Sequence, residues 1–320
     1  DASFEPLASS DMYIYAAGDG DDHIISLSSW RSIEINRLLL IGINPNDVTV
    51  SRGAPWFHSY HVILSFNMGG SVTLQSQFGG NGSGVQEIVF ADGTVWQADP
   101  TMFYHRAMAA LATSGHDRIE GWGDWNNTLA GGLGNDTLGD GWGTVDTYLY
   151  AAGDGADRIE DGAHGWHEWH ENQVDRLRLS GIRASDVTVA RSGDDAILRF
   201  TMGGSVTLVD QFSGLAWVGL EEIVFEDGTV WQASVLRDRY LASLVTDGND
   251  SIEGYQYSAD TLDGGLGNDT LVGRGGDDVY LVNAAGDLVV EAADGGTDEV
   301  RTALSGYTLG HEVENLTFTG

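Results

Sequence analysis

Short apolar stretches alternate with turns rich in glycine and aspartate along most of the chain. The clearest unit, Gly-Gly-Leu-Gly-Asn-Asp-Thr-Leu, occupies residues 131–138 and returns unchanged at residues 264–271. Its glycines permit positive φ in the turn, and its last leucine, Leu138 or Leu271, is expected to point inward from a short strand. The pattern predicts a parallel coil in which each turn repeats the one before it.

Related units flank both copies of this stretch. Each places an aspartate or asparagine two residues before an apolar side chain. The first array contains such units at Asp117, Asn127, Asp146 and Asp157, and the second contains them at Asp250, Asp260 and Asp278. One unit alone would be ordinary turn chemistry, but their density favours a dedicated repeat structure.

The aspartates suggest what the turns bind. Asp136 and Asp269 supply hard anionic oxygens, and the neighbouring glycines let backbone carbonyls approach closely. A calcium ion takes about six to eight oxygen ligands from this mixture of carboxylates and carbonyls. This mixture of oxygens therefore favours a hard divalent cation such as calcium in the turns.

These motifs resemble the repeats-in-toxin family, the haemolysin-type calcium-binding proteins of Gram-negative bacteria. The resemblance implies a right-handed parallel β-roll with calcium in rows along both edges, and secretion in one step by the type I route. Some turns depart from the family pattern, since Arg274 and Ala152 each replace a glycine and extra residues interrupt the units around Trp125 and Val145. Those turns are expected to bind calcium weakly or not at all.

The candidate calcium ligands are the acids, the asparagine and the turn glycines of these units. They are Asp19, Asp22, Asp117, Asn127, Gly132, Gly134, Asp136, Gly141, Gly143, Asp146, Asp154, Asp157, Gly248, Asp250, Asp260, Gly265, Gly267, Asp269, Gly275, Asp278, Asp287 and Asp298. Glu291, in the longer units of the tail, is a further candidate.

A second kind of repeat surrounds the first array. The stretch that begins at Asp11 reappears at Asp146, and both copies carry Gly-Gly-Ser-Val-Thr-Leu and end on Asp-Gly-Thr-Val-Trp-Gln-Ala. Alternating apolar residues with Gly-Gly or Asp-Gly between them predict antiparallel strands and hairpins. Each copy resembles the small β-domain that accompanies haemolysin-type repeats. Trp96 and Trp231, near the end of each copy, are predicted to be core or lid residues and not binding residues.

The predicted class is all-β, with calcium-bound parallel β-roll arrays alternating with two duplicated small antiparallel β-domains, each followed by a short capping helix. The expected divisions are a β-roll remnant (1–10), copy 1 (11–99), a helix (100–113), array 1 (114–160, merging into copy 2 from 146), copy 2 (146–233), a helix (234–246) and array 2 with longer C-terminal repeats (247–320). The sequence lacks an initial methionine and stops within a repeat, so we expect a piece of a larger chain.

Composition narrows the partners. The 320 residues include 48 acids and 15 arginines, for a formal net charge of −33, and neither lysine nor cysteine. Such a charge disfavours nucleic acid or anionic membrane as a partner, and no apolar run approaches the length of a membrane span. The acidity could serve solubility or a saline habitat, but its fixed placement beside glycines favours calcium. The absence of cysteine fits a secreted protein that is stabilised by metal.

The two copies differ most in two aromatic, histidine-rich insertions, residues 54–61 and 164–171. The first contains Trp56, Phe57 and Tyr60, and the second contains Trp166 and Trp169. The preferred interpretation is that they pack over their own sheets, and the alternative is that they contact a glycan or another subunit. His164, His167 and His170 could hold a transition metal, although a solvated loop is preferred.

Signals of catalysis are weak. The sequence lacks a nucleophile elbow, a phosphate-binding loop and a cysteine nucleophile. We therefore expect a non-catalytic, calcium-binding structural or adhesive segment of a large extracellular or cell-surface bacterial protein. The alternatives are a carbohydrate-binding or enzyme-associated module of an exported polysaccharide-active protein, and a self-assembling fibre subunit.

Overall fold

The computed structural model describes residues 10–25, 35–53, 61–75, 77, 84–98, 100–121, 126–139, 145–162, 174–214 and 218–320. The chain divides into two compact units, residues 1–112 and 113–320. The predicted remnant at 1–10 lies almost wholly outside the described residues, as do the insertion at 164–171 and all of the insertion at 54–61 except His61.

The first unit contains eight described strands and one helix. They are β1 (Met12–Ala16), β2 (Asp21–Ile25), β3 (Arg37–Ile41), β4 (Val48–Arg52), β5 (Val62–Phe66), β6 (Ser71–Gln75), β7 (Glu87–Val89), β8 (Val95–Gln97) and α1 (Pro100–Leu111). Sheet A has the order β1-β3-β7-β8, and sheet B has the order β2-β6-β5-β4. The pairs β1–β3, β3–β7 and β2–β6 are parallel, whereas β7–β8, β4–β5 and β5–β6 are antiparallel.

The second unit begins with a longer coil that runs through array 1 and copy 2. Its elements are β9 (Arg118–Glu120), β10 (Thr128–Ala130), β11 (Thr137–Gly139), β12 (Thr147–Ala151), β13 (Ala156–Glu160), β14 (Arg176–Ser180), β15 (Val187–Ser192), β16 (Asp195–Phe200), β17 (Ser205–Leu208), β18 (Glu222–Val224), β19 (Val230–Gln232) and α2 (Ala233–Ala242). Sheet C has the order β15-β16-β17-β13-β11-β9, and sheet D has the order β10-β12-β14-β18-β19.

Array 2 completes the second unit. Its strands are β20 (Ser251–Glu253), β21 (Thr261–Asp263), β22 (Thr270–Val272), β23 (Val279–Val282), β24 (Leu288–Val290), β25 (Glu299–Thr302) and β26 (Asn315–Phe318). Sheet E has the order β20-β22-β24 and sheet F the order β21-β23-β25-β26, and their described pairs are all parallel. From β20 to β25, successive strands therefore alternate between two sheets, as a coil requires.

The all-β class is confirmed, but the predicted antiparallel pairing of the two copies is only partly right. Copy 2 shares both of its sheets with array 1, because β13 pairs in parallel with β17 and β14 pairs in parallel with β12 and β18. Its antiparallel parts are an excursion, β15–β16–β17, that leaves the coil after β14 and rejoins it at β17, and the closing hairpin β18–β19. Apolar alternation identifies a strand but not the direction of its partner, which explains the difference.

The inward residues of the coil strands form the core. In sheet C, Ile119, Leu138 and Ile159 occupy matching positions on neighbouring strands and are buried, and the same holds for Leu129, Tyr148 and Leu177 in sheet D. The shared register explains why each of these strands carries a large apolar residue at the matching inward position.

The helices cover parts of these sheets. Helix α1 buries Phe103 and Met108 and packs against β4, while Leu111 at its end is exposed. Helix α2 buries Leu236 and Leu241 and contacts β15, β19 and β21. Both helices are slightly shorter than predicted.

The two tryptophans lie where the sequence predicts, in the core. Trp96 and Trp231 are buried, with the guanidinium carbons of Arg106 and Arg239 lying 3.6 Å and 3.9 Å from their ring centres. These stacked pairs attach each helix to the last hairpin of its copy.

Candidate metal centre

An acidic or amide side chain stands immediately before most of the coil strands, or at the start of the strand in the case of Asp157, and these side chains form ladders along the turns. In each ladder, the backbone N–H of one residue donates to the side-chain oxygen of its counterpart one turn later. The N–H of Asp136, for example, donates to Oδ1 of Asp157 at 3.0 Å. Because parallel strands keep one register, side chains separated by a whole turn become direct neighbours.

Most of the acids and amides among the predicted ligands meet in four such ladders. The ladder before sheet C contains Asp117, Asp136 and Asp157; that before sheet D contains Asn127, Asp146, Asp175 and Glu221; that before sheet E contains Asp250, Asp269 and Asp287; and that before sheet F contains Asp260, Asp278, Asp298 and Glu314. The donor–acceptor distances lie between 2.5 and 3.1 Å.

Only one oxygen of each inner aspartate is used by its ladder. Within the described part of the chain, the second carboxylate oxygens of five buried aspartates have no hydrogen-bond partner. They are Oδ2 of Asp136, Asp157, Asp269, Asp278 and Asp298. A buried, unpaired carboxylate oxygen is costly, and coordination of a cation removes that cost.

The first aspartate of each array differs from the inner ones. Thr113 donates its N–H and hydroxyl to the carboxylate of Asp117, at distances of 2.6 to 3.0 Å. Thr246 does the same for Asp250. These two carboxylates close the start of their arrays with protein hydrogen bonds.

Glycines make room for the buried aspartates. A methyl group on Gly131 would collide with Oδ2 of Asp136, and one on Gly264 would collide with Oδ2 of Asp269. In the same turns, Gly134 and Gly267 have φ of +140° and +129°, and a methyl group there would strike the carbonyl oxygen of Gly115 or Gly248. Carboxylate and carbonyl oxygens therefore line the same turns.

The other predicted residues have varied positions. Gly132 and Gly265 adopt positive φ, while a methyl group on Gly275 would approach the carbonyl of Gln256. Asp19 and Asp154 close tight turns by accepting from the N–H of Ala16 and Ala151, at 2.8 and 2.7 Å, and Asp22 is exposed on β2, so these three lie apart from the four ladders. Gly141 and Gly143 lie outside the described residues.

The candidate ligand set missed three acids in copy 2: Asp161, Asp175 and Glu221. Asp175 can be recognised from the sequence, because Asp175-Arg176-Leu177 repeats the aspartate, arginine and apolar order of Asp117-Arg118-Ile119. Asp161 has no such signal, since it follows its strand and reaches the ladder residues Asp146 and Asp175 only through the fold.

Copy 1 builds the equivalent ladder with amides. The N–H of Asp11 donates to Asn36 Oδ1 at 3.0 Å, and the N–H of Asn36 donates to Gln86 Oε1 at 2.7 Å. Asn36 and Gln86 thus take the places of Asp175 and Glu221 while preserving the hydrogen bonds. The fold of a copy therefore requires the oxygen acceptor at these places but not its charge.

Burial and mutual repulsion perturb the inner acids. Burial, together with the charges of Asp136 and Asp154, raises the pKa of Asp157 to about 6. Burial, together with the charges of Asp260, Glu291 and Asp298, raises the pKa of Asp278 to about 7. The pKa of Asp298 is raised for the same reasons. Each of these carboxylates would be stabilised by a bound cation.

The donor set fits calcium. It consists of carboxylate and carbonyl oxygens, some of them buried without a partner, in turns whose glycines leave space beside them. Calcium accepts such oxygens in flexible geometry, whereas zinc and copper sites use nitrogen or sulfur. The ladder aspartates and the glycine carbonyls are the groups that would hold it.

One solved structure is similar to part of this chain. That structure, the extracellular lipase LipA from Serratia marcescens, is similar over 65% of this chain and 32% of its own, with 19% identity and a TM-score of 0.16. This chain therefore spans about a third of that protein's length.

Within the described residues, no helix is long and apolar enough to cross a membrane.

The family comparison concerns the two copies. Residues 62–99 and 201–234 match the haemolysin-type calcium binding protein related domain. The first stretch spans β5 to β8, and the second spans β17 to β19 and the start of α2. Each of the two copies therefore contains one stretch that matches this domain.

Proposed function

We propose that this chain is a calcium-binding segment whose coils fold when calcium occupies the aspartate ladders, and that it serves a large secreted bacterial protein as a structural or adhesive element. The observation that supports this most is the set of buried carboxylate oxygens without partners at Asp136, Asp157, Asp269, Asp278 and Asp298. Aligned carboxylates repel one another in the folded chain, so folding should depend on the ion that neutralises them.

The proposed role is not catalytic. The acids along the turns already accept ladder hydrogen bonds from backbone N–H groups. This arrangement suits cation binding and stiffening of the coil. The net charge of −33 would oppose compaction in a low-calcium compartment, and export into a calcium-rich medium would then trigger folding. Adhesion, glycan binding and self-assembly through the aromatic insertions remain further proposals for the same segment.

Chelation tests the proposal directly. Far-UV circular dichroism and melting temperature should be measured with excess chelator, then after return of calcium or of magnesium. We expect chelation to remove β signal and calcium alone to restore it. When the calcium concentration is 100 times the Kd of a site, that site adds about 2.7 kcal/mol to the free energy of unfolding. Several sites should therefore raise the melting temperature strongly.

Matched variants locate the effect. Asp269→Asn keeps the oxygen that accepts the ladder hydrogen bond but replaces the unpaired, charged carboxylate oxygen with an amide nitrogen, and it should weaken calcium binding. Asp238→Asn makes the same change of charge on the exposed surface of α2 and should leave binding intact. An unchanged fold and melting temperature in excess chelator would contradict the proposal.

A further inference from the structure

Two places in the coil depart from the glycine-rich turn in the same way. A tyrosine follows a ladder aspartate by two residues at Asp146–Tyr148 and again at Asp278–Tyr280. Both tyrosine side chains are fully buried. The hydroxyl of Tyr148 donates to Oδ1 of Asp161 at 2.7 Å, and the hydroxyl of Tyr280 donates to Oε1 of Glu291.

The acids that receive these hydroxyls occupy equivalent positions. Asp161 directly follows β13, and Glu291 directly follows β24. Both strands belong to the sheet opposite the tyrosine, so the acid reaches the ladder from the other sheet. Since Val272 pairs with Val290, Glu291 lies next to Gly273 of the preceding turn. A methyl group on Gly273 would collide with Glu291 Oε1, Asp278 Oδ2 and the hydroxyl of Tyr280.

The ladder contributes a third acid to each group. Asp175 follows Asp146 in one ladder, and Asp298 follows Asp278 in the other. In each group, one carboxylate oxygen from each of the three acids lies within 4.8 Å of the other two. The groups are Asp146, Asp161 and Asp175, and Asp278, Glu291 and Asp298.

Unpaired oxygens point to a ligand in the second group. Asp278 and Asp298 are 0% and 1% exposed, and the Oδ2 atom of each has no hydrogen-bond partner among the described residues. The hydroxyl of Tyr280 satisfies one oxygen of Glu291. Three carboxylates thus converge in a buried space while the hydrogen bonds available to them leave oxygens unmatched.

The surroundings favour a divalent cation over an arginine partner. The charged groups that act on Asp278 are all acids: Asp260, Glu291 and Asp298. The candidate ligands are all oxygens and come from three different turns. Calcium accepts such oxygens in flexible geometry, whereas magnesium demands near-ideal octahedral geometry, so the group favours calcium. Tyr280 fixes the orientation of Glu291, as an outer partner commonly does for a ligand.

We propose that Asp278, Glu291 and Asp298 form a buried three-carboxylate calcium site, positioned by Tyr280, and that Asp146, Asp161 and Asp175 form its counterpart, positioned by Tyr148. This inference rests on the proposed calcium binding of the chain. It differs from the repeated turns because an acid, Glu291 or Asp161, directly follows its strand at the place where a repeated turn has a glycine such as Gly264. Copy 1 places Asn36 where copy 2 places Asp175, so it lacks one carboxylate of the set.

Counting bound ions tests this site in the full chain. Glu291→Gln and Asp161→Asn keep side-chain size and remove one carboxylate charge from each group. Equilibrium dialysis with elemental analysis should show that each variant binds one calcium ion fewer than the unaltered chain, and that the double variant binds two fewer. Glu253→Gln, at an exposed position of β20, makes the same change of charge and should bind the full number.

Tyr280→Phe guards against variants that fail to fold, because it keeps the ring in the core and removes only the hydroxyl. We expect the full number of ions, with about 10-fold to 100-fold weaker binding at one site. Tyr257→Phe, at an exposed tyrosine, should change nothing. The inference is overturned if folded Glu291→Gln binds every ion, or if Tyr280→Phe leaves all affinities unchanged. Loss of calcium binding by the unaltered chain would instead overturn the proposed function.

Discussion

Gly264 and Asp269 are coupled, because the carboxylate of Asp269 occupies the space that any side chain at position 264 would need. Asp269 is 1% exposed, and its ladder bond to the N–H of Asp250 fixes it there at 2.9 Å. Gly131 and Asp136 repeat the arrangement in array 1. A glycine in these turns therefore sets the position of a ladder carboxylate, the proposed calcium ligand, as well as the path of the backbone.

The first prediction follows from this coupling. Gly264→Ala should displace the Asp269 carboxylate, lower the free energy of unfolding by about 1–3 kcal/mol and weaken calcium binding in array 2. Thermal unfolding at saturating calcium and a calcium titration would measure both effects. Gly306→Ala is the control, since a methyl group there meets nothing within 4 Å. Equal stability of the two variants would show that the carboxylate can relax at little cost.

The repeat pattern is sufficient to predict the parallel coil and most members of the ladders. The beat of aspartate and apolar residue identifies Asp136, Asp269 and their neighbours, since a fixed period in sequence becomes a column in a parallel coil. It cannot show that Asp161 and Glu291 cross to the opposite ladder, because that contact depends on which sheet each strand joins. The direction of strand pairing in the copies is hidden for the same reason.

The second prediction concerns pH in the absence of calcium. The pKa values of Asp157 and Asp278 are raised to about 6 and about 7, from the ordinary aspartate value of 3.8. At pH values between the ordinary pKa and the raised pKa, the folded chain binds more protons than the unfolded chain. Its stability should therefore fall as the pH rises through this range. In excess chelator, the melting temperature should therefore be higher at about pH 5.5 than at about pH 8.

Substitution tests the assignment of this pH dependence. The double variant Asp157→Asn and Asp278→Asn removes both titrating groups and should flatten the slope in chelator. With saturating calcium the slope should reverse, because protons then compete with the ion for the same carboxylates. A chelator slope that is identical in the variant and the unaltered chain would assign the effect to other acids.

The third prediction concerns the attachment of α2. The guanidinium of Arg239 stacks on Trp231, which itself packs on Phe225 with ring centres 4.5 Å apart. Arg239→Ala should cost about 0.5–1 kcal/mol at this exposed cation–π contact, with calcium binding unchanged. Arg239→Lys should recover part of the loss. Chemical denaturation at saturating calcium would measure the difference, and an Arg239→Ala variant as stable as the unaltered chain would deny the contact any role in stability.

The last prediction compares the two copies of one scaffold. Copy 2 holds its ladder with Asp175 and Glu221, and burial raises the pKa of Glu221, whereas copy 1 uses the amides of Asn36 and Gln86. Amides accept the same hydrogen bonds without mutual repulsion. Hydrogen exchange in excess chelator should therefore leave the strands of sheet A around Asn36 protected while those of sheet D around Asp175 become exposed.

Exchanging the two chemistries would separate charge from position. The double variant Asp175→Asn and Glu221→Gln should make copy 2 less dependent on calcium and raise its protection in chelator. The reciprocal Asn36→Asp should destabilise copy 1, because the side-chain nitrogen of Asn36 donates to the carbonyl of Gly84 at 3.2 Å and a carboxylate would turn that bond into a repulsion between acceptors. If both copies instead lose protection equally in chelator, and neither exchange alters it, the charge on the ladder does not determine which copy requires calcium.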